Sequence, residues 1–534
     1  MTRHRQILAA TTRLTAAVAA AVACVVVLGA SAAAAQSGAQ PPVPVSPPGL
    51  GPAGTSTVHG DAASTDTLPG RGPGATPAIV GGLTGATCST VFVGSDGMPV
   101  ALCTSYVGLN PPTPLAPTVK LLHPDTAAVL AEVQLAKGAL LGGVYGYLDD
   151  RDRVVVADGN RRLLAVGHHR DPDGTWRMTV EVMADLTAAV PPGDAVTGLT
   201  PAFDGRVWFA TSGGVVGTVR PGDDGVNDDD DELRTLALPA GEKITNGLTA
   251  RPGGASVITT RALYEIDVEA DGTPVVRWRH GYEVGPARKP GLLAHGSGTT
   301  PTYFGPDDSL VAITDDADQP DLIVLRRDDG SQVCRMPAFA TTLAPDSVAP
   351  DGVLIEGPAA TENSIIAFSG ALVLVNTYGF EYPPFAVDGP AVPASAPYTG
   401  GMTRIDVRAD GAGDADGSCG RAWTSLTRTA SLPKLTTGDG HIHALAYGPP
   451  GAHPALDHPA LDHPLLAQGL AQKFGPVDVT STDVETGREV MRGFVGHAPL
   501  DEPMELTGTI VSRGDAPGVM WQPTLTRMLR IGPP

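Results

Sequence analysis

The chain has 534 residues, of which 57 are acidic and 36 basic, so its formal net charge is −21. A balance this acidic argues against nucleic acid or an anionic membrane surface as a partner. The length is ample for a large core, and we expect one large β domain.

The first 35 residues have the pattern of a secretory signal peptide. Arg3, Arg5 and Arg13 supply the positive charge, residues 16–28 the apolar centre, and three alanines at 33–35 the cleavage site. Cys24 lies inside the apolar centre, which disfavours a lipid-attachment role. No second apolar run is long enough to span a membrane. We therefore predict a secreted, extracellular monomer with no transmembrane segment after cleavage, and an extracellular or envelope ligand as its partner.

Composition divides the rest of the chain into a linker and a domain. Residues 36–80 hold nine prolines among many Gly, Ser, Thr and Ala residues, which predicts a disordered, partly extended linker. The remainder, 81–534, is predicted to form one β domain.

The clearest structural pattern lies at 296–336. Four short strands are predicted at 299–304, 309–314, 322–326 and 331–336, separated by turns rich in Gly, Pro and Asp. The two middle strands are continuous apolar runs, which is typical of strands buried on both faces. Four-stranded sheets with both faces covered are the blades of a β-propeller.

Similar strand groups recur along the chain. They fall at 89–135, 153–182, 207–238, 256–279, 299–336, 364–424 and 441–494, and the strands left over at 505–531 supply an eighth blade or close the ring. The sequence therefore predicts an all-β propeller of eight four-stranded blades. Seven blades and a pair of large β-sandwiches are the alternatives.

Four cysteines remain once the signal has been removed, which predicts two disulfides in an exported protein. The hairpin turn at 94–97 places Cys88 opposite Cys103, at a separation that suits a disulfide. Cys334 and Cys419 open the outer strands of consecutive blades, and we pair them as well.

Several segments resemble quinoprotein-like propellers, the PQQ-type superfamily. The blade motif STDVETGREVM lies at 481–491, and further resembling pieces are GSGTTPTYFG (296–305), LVAITDDADQPDLIVLRR (310–327), ATENSIIAFSGALVLVNTYGF (360–380) and LPKLTTGDGHIHAL (432–445). The chain is similar to uncharacterised secreted bacterial members of that superfamily. The resemblance implies eight blades and supplies no agreed activity. Quinoprotein dehydrogenases carry adjacent cysteines and a docking Trp in nearly every blade. This chain has no adjacent cysteines, only five Trp, and Met491 where the motif has Trp. A quinoprotein dehydrogenase is therefore disfavoured, and no cofactor is expected.

Metal-binding patterns are weak. His441 and His443 point to one face of a strand and are candidate ligands, but a third ligand at a suitable spacing is missing, which favours a packed or solvated pair. The repeated His-Pro segment at 453–463 and the acidic run at 223–232 are interpreted as loop and solvated turn. No nucleophile-elbow, zinc-protease, phosphate-loop or Cys-x-x-Cys motif is present.

The ligand site is predicted from the longest insertions. Four of them, 283–296, 337–360, 380–400 and 448–476, open on the same face of the ring, and we call them the canopy loops. The predicted ligand-binding residues are those near the ring axis beneath the canopy loops and those on the first loop: Asn246, Thr299, Glu362, Asn363, Arg288, Lys289 and His295. The alternative is that the insertions carry no function and that Asn246 and Asn363 cap backbone groups at strand starts.

Two functions follow from these patterns. The first is a secreted, non-catalytic binding or scaffold propeller at the cell envelope, with an unknown ligand. The second is a propeller-type hydrolase or lactonase with one axial calcium held by Glu, Asn and Asp oxygens. The sequence favours the binder and leaves open whether the protein is an enzyme.

Overall fold

The computed structural model describes residues 44–107, 113–137, 145–222, 232–339, 358–409, 417–448 and 475–534. Regular structure in these ranges is β, apart from three single turns of 3₁₀-helix at Thr57–His59, Pro306–Asp308 and Pro384–Ala386. The strands form eight sheets arranged as propeller blades, and the four strands of each blade are antiparallel. The predicted all-β, eight-bladed propeller is confirmed.

Two strands precede the first blade, and the first four blades follow in chain order. The strands are β1 (Thr67–Leu68), β2 (Ala78–Leu83); in blade one β3 (Thr87–Val93), β4 (Pro99–Val107), β5 (Thr113–Leu122), β6 (Val129–Gln134); in blade two β7 (Gly146–Leu148), β8 (Val154–Ala157), β9 (Arg162–Arg170), β10 (Trp176–Asp185); in blade three β11 (Val196–Pro201), β12 (Val207–Thr211), β13 (Val215–Val219), β14 (Arg234–Ala237); and in blade four β15 (Leu248–Arg251), β16 (Gly254–Ile258), β17 (Ala262–Val268), β18 (Pro274–Gly281).

The other four blades continue the pattern, with the innermost strand first. They are blade five, β19 (Thr302–Phe304), β20 (Leu310–Thr314), β21 (Asp321–Arg326), β22 (Gln332–Pro337); blade six, β23 (Ile366–Phe368), β24 (Ala371–Val375), β25 (Met402–Arg408), β26 (Ser418–Ser425); blade seven, β27 (Lys434–Thr436), β28 (His441–Tyr447), β29 (Pro476–Asp483), β30 (Glu489–His497); and blade eight, β31 (Thr509–Val511), β32 (Val519–Pro523), β33 (Arg527–Gly532).

Blade five shows why its middle strands are continuously apolar. Along β20, Val311 and Ile313 pack in one core with Ile258 of blade four. Leu310 and Ala312 face the opposite way, into a core shared with blade six. Both faces of the strand are therefore covered by neighbouring blades, and alternation of polar and apolar residues would place polar groups in a core.

Blade eight closes the ring with strands from both ends of the described chain. Its strand order is β2-β33-β32-β31, and Ala78 pairs with Gly532 in antiparallel register. The strands left over at 505–531 thus make three strands of the eighth blade, and the N-terminal strand β2 supplies the outer one. Closure in this way removes the open edges that a partial ring would expose.

The structure differs from the predicted linker over residues 44–80. Residues 50–70, which we call the axial segment, run along the innermost strands. Backbone oxygens of Ala62, Ala63 and Thr65 accept hydrogen bonds from blades four, five and six, respectively. β1 pairs in parallel with β27 of blade seven. Prolines lie on either side of the stretch 54–68, which has none, so the average composition concealed a segment able to pair with strands.

The two predicted disulfides are present, one between Cys88 and Cys103 and one between Cys334 and Cys419. The first forms through a bulge. The hairpin pairs Val93 with Pro99, and a register shift next to Ser89 brings Cys88 opposite Cys103. The second joins the outer strands β22 and β26 of blades five and six. Among the described residues, the structure contains no helix of the length and apolarity that crossing a membrane requires.

Candidate functional site

A cavity of about 190 Å³ lies where the innermost strands begin, between the axial segment and the canopy loops. The 3₁₀ turn Thr57–His59 contributes Val58 and His59 to its wall, and the canopy loops contribute Leu293 and the turn around Pro384–Ala386. The other lining residues come from the ring: Thr87, Ser89, Thr104, Tyr145, Asn246, Gly298, Thr300, Glu362, Asn363, Ser364, Leu432, Met504, Glu505, Leu506 and Thr507. The described part of this lining contains two carboxyl groups and no lysine or arginine.

The side chain of His59 is held in place by Asp66, which also belongs to the axial segment. Its Nδ1 lies 3.1 Å from Asp66 Oδ2, and its Nε2 lies 3.1 Å from Thr300 Oγ1 and 3.3 Å from Ser364 Oγ. Asp66 also forms an ion pair with Lys434, and both side chains are almost fully buried. These contacts hold the axial segment against blades five, six and seven.

Glu362 enters the cavity from the start of blade six. Its Oε2 accepts a hydrogen bond from the backbone N–H of Leu293 at 2.8 Å, and its own N–H donates to Thr377 Oγ1 at 3.0 Å. Gly298 packs directly against it, because a Cβ at that position would lie 2.3 Å from the Thr361 carbonyl oxygen and 2.8 Å from Glu362 Oε2. The pKa of Glu362 is raised to about 8, chiefly by burial and to a smaller extent by the charge of Asp316, against the opposing effects of the Leu293 N–H and Arg288.

Glu505 enters from the loop before blade eight. Its Oε2 accepts a hydrogen bond from Asn363 Nδ2 at 3.1 Å, whereas its Oε1 is buried and has no hydrogen-bond partner among the described residues. The pKa of Glu505 is raised to about 8, chiefly by burial and to a smaller extent by the nearby Glu502, against the opposing effect of the Asn363 hydrogen bond. Met504 and Glu505 have φ of 54° and 55°, a left-handed conformation that costs energy for such residues and clusters at functional sites.

Tyr382 supplies the other buried polar atom of the cavity wall that lacks a partner. Its hydroxyl has no hydrogen-bond partner among the described residues. Burial raises its pKa, and the charges of Glu505 and Glu362 raise it further, so this ring lies within electrostatic range of both carboxyls. The ring is held by Phe380 at a centroid distance of 4.8 Å, and Phe380 packs edge-on against Tyr398.

The structure brings three of the predicted ligand-binding residues to this cavity: Asn246, Glu362 and Asn363. Asn246 Nδ2 donates to the Ser297 carbonyl at 2.9 Å. Asn246 therefore also caps a backbone group, which is the alternative role predicted for it from the sequence. Thr299 is fully buried and is not on the lining, because its hydroxyl bonds Ser297 and the Thr314 N–H.

The three predicted residues of the first canopy loop shape that loop and do not line the cavity. Arg288 donates to the carbonyls of Leu292 and Gly389, which ties the described canopy loops 283–296 and 380–400 together. Lys289 pairs with Asp316 at 3.0 Å, and His295 Nε2 lies 3.1 Å from the Val284 carbonyl oxygen. The other two canopy loops lie largely outside the described residues.

The histidine pair of blade seven lies in a hydrogen-bond network. His443 is buried, with Nδ1 2.8 Å from Ser481 Oγ and Nε2 2.8 Å from Thr436 Oγ1. His441 Nδ1 lies 3.7 Å from Asp439 Oδ2. In the described ranges, no three His, Cys, Asp or Glu side chains converge as a metal site would require. The His-Pro repeat at 453–463 and most of the acidic run at 223–232 lie outside those ranges.

Sequence reasoning missed His59, Tyr145, Tyr382 and Glu505 as cavity residues. His59 lay in the predicted linker, and Glu505 in a predicted strand. For His59 the sequence did contain a local signal. The stretch 54–68 around it has no proline, and six of its fifteen residues are Ser or Thr.

Comparisons with known proteins concern the fold. No family model matches the chain. A stretch of 141 residues is 33% identical to an uncharacterised protein of Archaeoglobus fulgidus, and it covers 26% of this chain and 26% of that relative.

Among solved structures, a europium-containing methanol dehydrogenase superposes with a TM-score of 0.50 and 11% identity, over 90% of this chain and 98% of that one. The quinohemoprotein alcohol dehydrogenase of Comamonas testosteroni gives a TM-score of 0.47 at 9% identity, over 89% of this chain and 80% of the dehydrogenase. BamB of Moraxella catarrhalis gives a TM-score of 0.33 at 12% identity, over 80% of this chain and 99% of BamB. At 11% identity the likeness to the methanol dehydrogenase shows the fold alone, which is a β-propeller.

Proposed function

We propose that this protein is a secreted, non-catalytic binding propeller whose axial cavity receives a small ligand. The observation that carries the proposal is a walled cavity whose lining includes two buried polar atoms, Glu505 Oε1 and the Tyr382 hydroxyl, without partners among the described residues. Buried polar groups are normally hydrogen-bonded, so unpaired ones on a cavity wall favour a ligand as the missing partner.

Secretion is supported by two disulfides, which persist in oxidising compartments. The N-terminal signal pattern agrees, although residues 1–43 lie outside the described ranges. The ring supplies a rigid frame around the cavity, as expected for a binding protein.

The cavity does not fit the quinone cofactor of the dehydrogenases that share the fold. That cofactor is a tricarboxylate, and the described lining places Glu362 and Glu505 against it with no lysine or arginine. The charges of the cofactor would be buried without a compensating cation, which is costly, so we derive no reaction through this cofactor.

An axial-calcium hydrolase is the second candidate. The observation in its favour is that two carboxyls and two amides, from Glu362, Glu505, Asn246 and Asn363, line the same cavity. Oxygen ligands of this kind suit calcium. Metal analysis of the purified protein separates the candidates, because the hydrolase requires about one tightly held calcium per chain.

The test of the proposed function is a melting screen with small organic ammonium ions, organic acids and neutral polyols. A ligand present at about 100 times its Kd stabilises the fold by about 2.7 kcal/mol, a rise of a few degrees in melting temperature. The matched control is Ala386→Phe, which fills the cavity from the canopy side. If no compound in the screen stabilises the wild type, the proposal fails.

A further inference from the structure

The charge of the cavity wall sets the first constraint on the ligand. Glu362 and Glu505 are each partly buried there, and their pKa values are raised because burial penalises the charged form. Arg288 is the cation that acts on Glu362, and it donates to canopy carbonyls at 2.6 and 3.0 Å. A positively charged ligand would supply the compensation that the described lining lacks.

The aromatic residues set the second constraint. Tyr145, Tyr382 and Phe385 all lie on the cavity wall. Burial raises the pKa of Tyr145, and the charge of Glu362 raises it further, so this ring also lies near that carboxyl. Aromatic faces attract cations, and aromatic walls combined with carboxylates are the usual site for quaternary ammonium groups.

The size of the cavity sets the third constraint. Its volume of about 190 Å³ corresponds to about six water volumes. This is smaller than the usual pocket for a drug-sized ligand, roughly 300 Å³ or more. The ligand is therefore a small molecule or one end of a longer one.

We propose that the cavity binds a small organic ammonium ion, with its charge against Glu362 and Glu505 and its alkyl groups against Tyr145, Tyr382 and Phe385. This inference names the ligand class of the proposed binding function and rests on it. The residues belong to four separate elements: the start of blade two, the start of blade six, a canopy loop and the loop before blade eight.

The same arrangement couples ligand binding to the protonation of Glu362 and Glu505. A bound cation favours the ionised carboxylates, so binding releases the protons that Glu362 and Glu505 hold near neutral pH. Other titratable or charged groups also face the two carboxyls. They are Asp316, Arg288, Tyr145 and Tyr382 around Glu362, and Glu502, Tyr382, Tyr398 and Tyr447 around Glu505. His59 is a further titratable group on the lining.

The experiment is calorimetric titration of the full secreted chain with tetramethylammonium, whose charge does not change with pH. We expect affinity to be at least about tenfold higher at pH 9 than at pH 6, because the carboxyls have ionised. Glu362→Gln and Glu505→Gln should each weaken binding about tenfold or more and reduce the pH dependence. The control is Glu242→Gln, a buried carboxyl that accepts hydrogen bonds from the hydroxyls of Thr259 and Tyr264 and does not line the cavity, and it should change affinity less than about twofold.

The aromatic contribution has its own variants, which serve if a glutamate variant does not fold. Tyr382→Leu, which removes the aromatic ring, should weaken binding severalfold and more than Tyr382→Phe, which keeps the ring and removes only the hydroxyl. Calcium and a neutral polyol are titrated in parallel.

Three results would overturn the ammonium proposal: tight calcium binding that a chelator reverses, binding of polyols or acids but not of tetramethylammonium, or unchanged affinity in both glutamine variants. The second of these results would overturn only the ammonium proposal and would leave the proposed binding function standing. A melting screen in which no compound binds would overturn both proposals.

Discussion

The buried ion pair between Asp66 and Lys434 offers a sharp test of the axial segment. Asp66 is fully buried, Lys434 is 2% exposed, and the lysine also donates to the Val58 carbonyl at 2.5 Å. Asp66→Asn keeps the shape of the side chain and leaves the lysine charge buried without its counter-ion. Removing one partner of a buried pair costs about 3–5 kcal/mol, and the loss here includes the contact to His59.

The measurement is the free energy of unfolding from urea titration of the wild type and the variant. The matched control is Asp388→Asn, which breaks the pair Lys243–Asp388, whose side chains are 57% and 60% exposed. An exposed pair contributes about 0–1 kcal/mol. A second variant, Asp66→Asn with Lys434→Met, should recover much of the loss because no unpaired charge remains. If Asp66→Asn costs no more than Asp388→Asn, the axial segment does not pack in the ring as described.

Four further predictions follow. Peptide mapping under non-reducing conditions should recover Cys88 joined to Cys103, whereas free thiols or Cys88 joined to Cys334 would contradict the structure. Truncation of residues 505–534 removes three strands of blade eight and should prevent a compact monomer, and an unchanged melting transition would refute the ring closure. Glu362→Ala and Asn246→Ala should fold and lose ligand affinity, and if both bind like the wild type the site lies elsewhere under the canopy loops. Burial raises the pKa of Glu505 from 4.5 to about 8, so the fold loses stability as pH rises between those values. Glu505→Gln should therefore be more stable than the wild type by about 1–3 kcal/mol at pH 9. A variant less stable than the wild type at that pH would contradict the raised pKa.

The ring was predictable from the sequence because its middle strands have a strong signature. The runs in β20 and β21 are buried on both faces, and continuous apolar runs between turn residues indicate this directly. The inner strands were harder to find. β7, β11, β15 and β27 have three to six residues each, too few to show a period, and they were missing from the predicted blades.

The candidate site was predictable only in part for the same reason. Asn246, Glu362 and Asn363 were found because insertions and strand starts mark one face of the ring. His59 and Glu505 reach the cavity through irregular backbone, in a 3₁₀ turn and a left-handed pair. Such positions are fixed by tertiary hydrogen bonds, as in Glu505 N–H to the Ala430 carbonyl at 2.8 Å, and local sequence does not encode them.

Hydrogen exchange of the axial segment tests the central claim most directly, because this segment is both the inner lining of the ring and a wall of the ligand cavity. Within residues 54–68, the N–H groups of Gly54, Gly60 and Ser64 are hydrogen-bonded. Inner-strand N–H groups of Ala250 and Tyr303 donate to the same segment. The structure predicts that peptides covering 54–68 exchange as slowly as those covering β15 and β19, and more slowly still with a bound ligand. Exchange of 54–68 at the rate of an unstructured peptide would show that the segment is a linker and that the cavity lacks its wall.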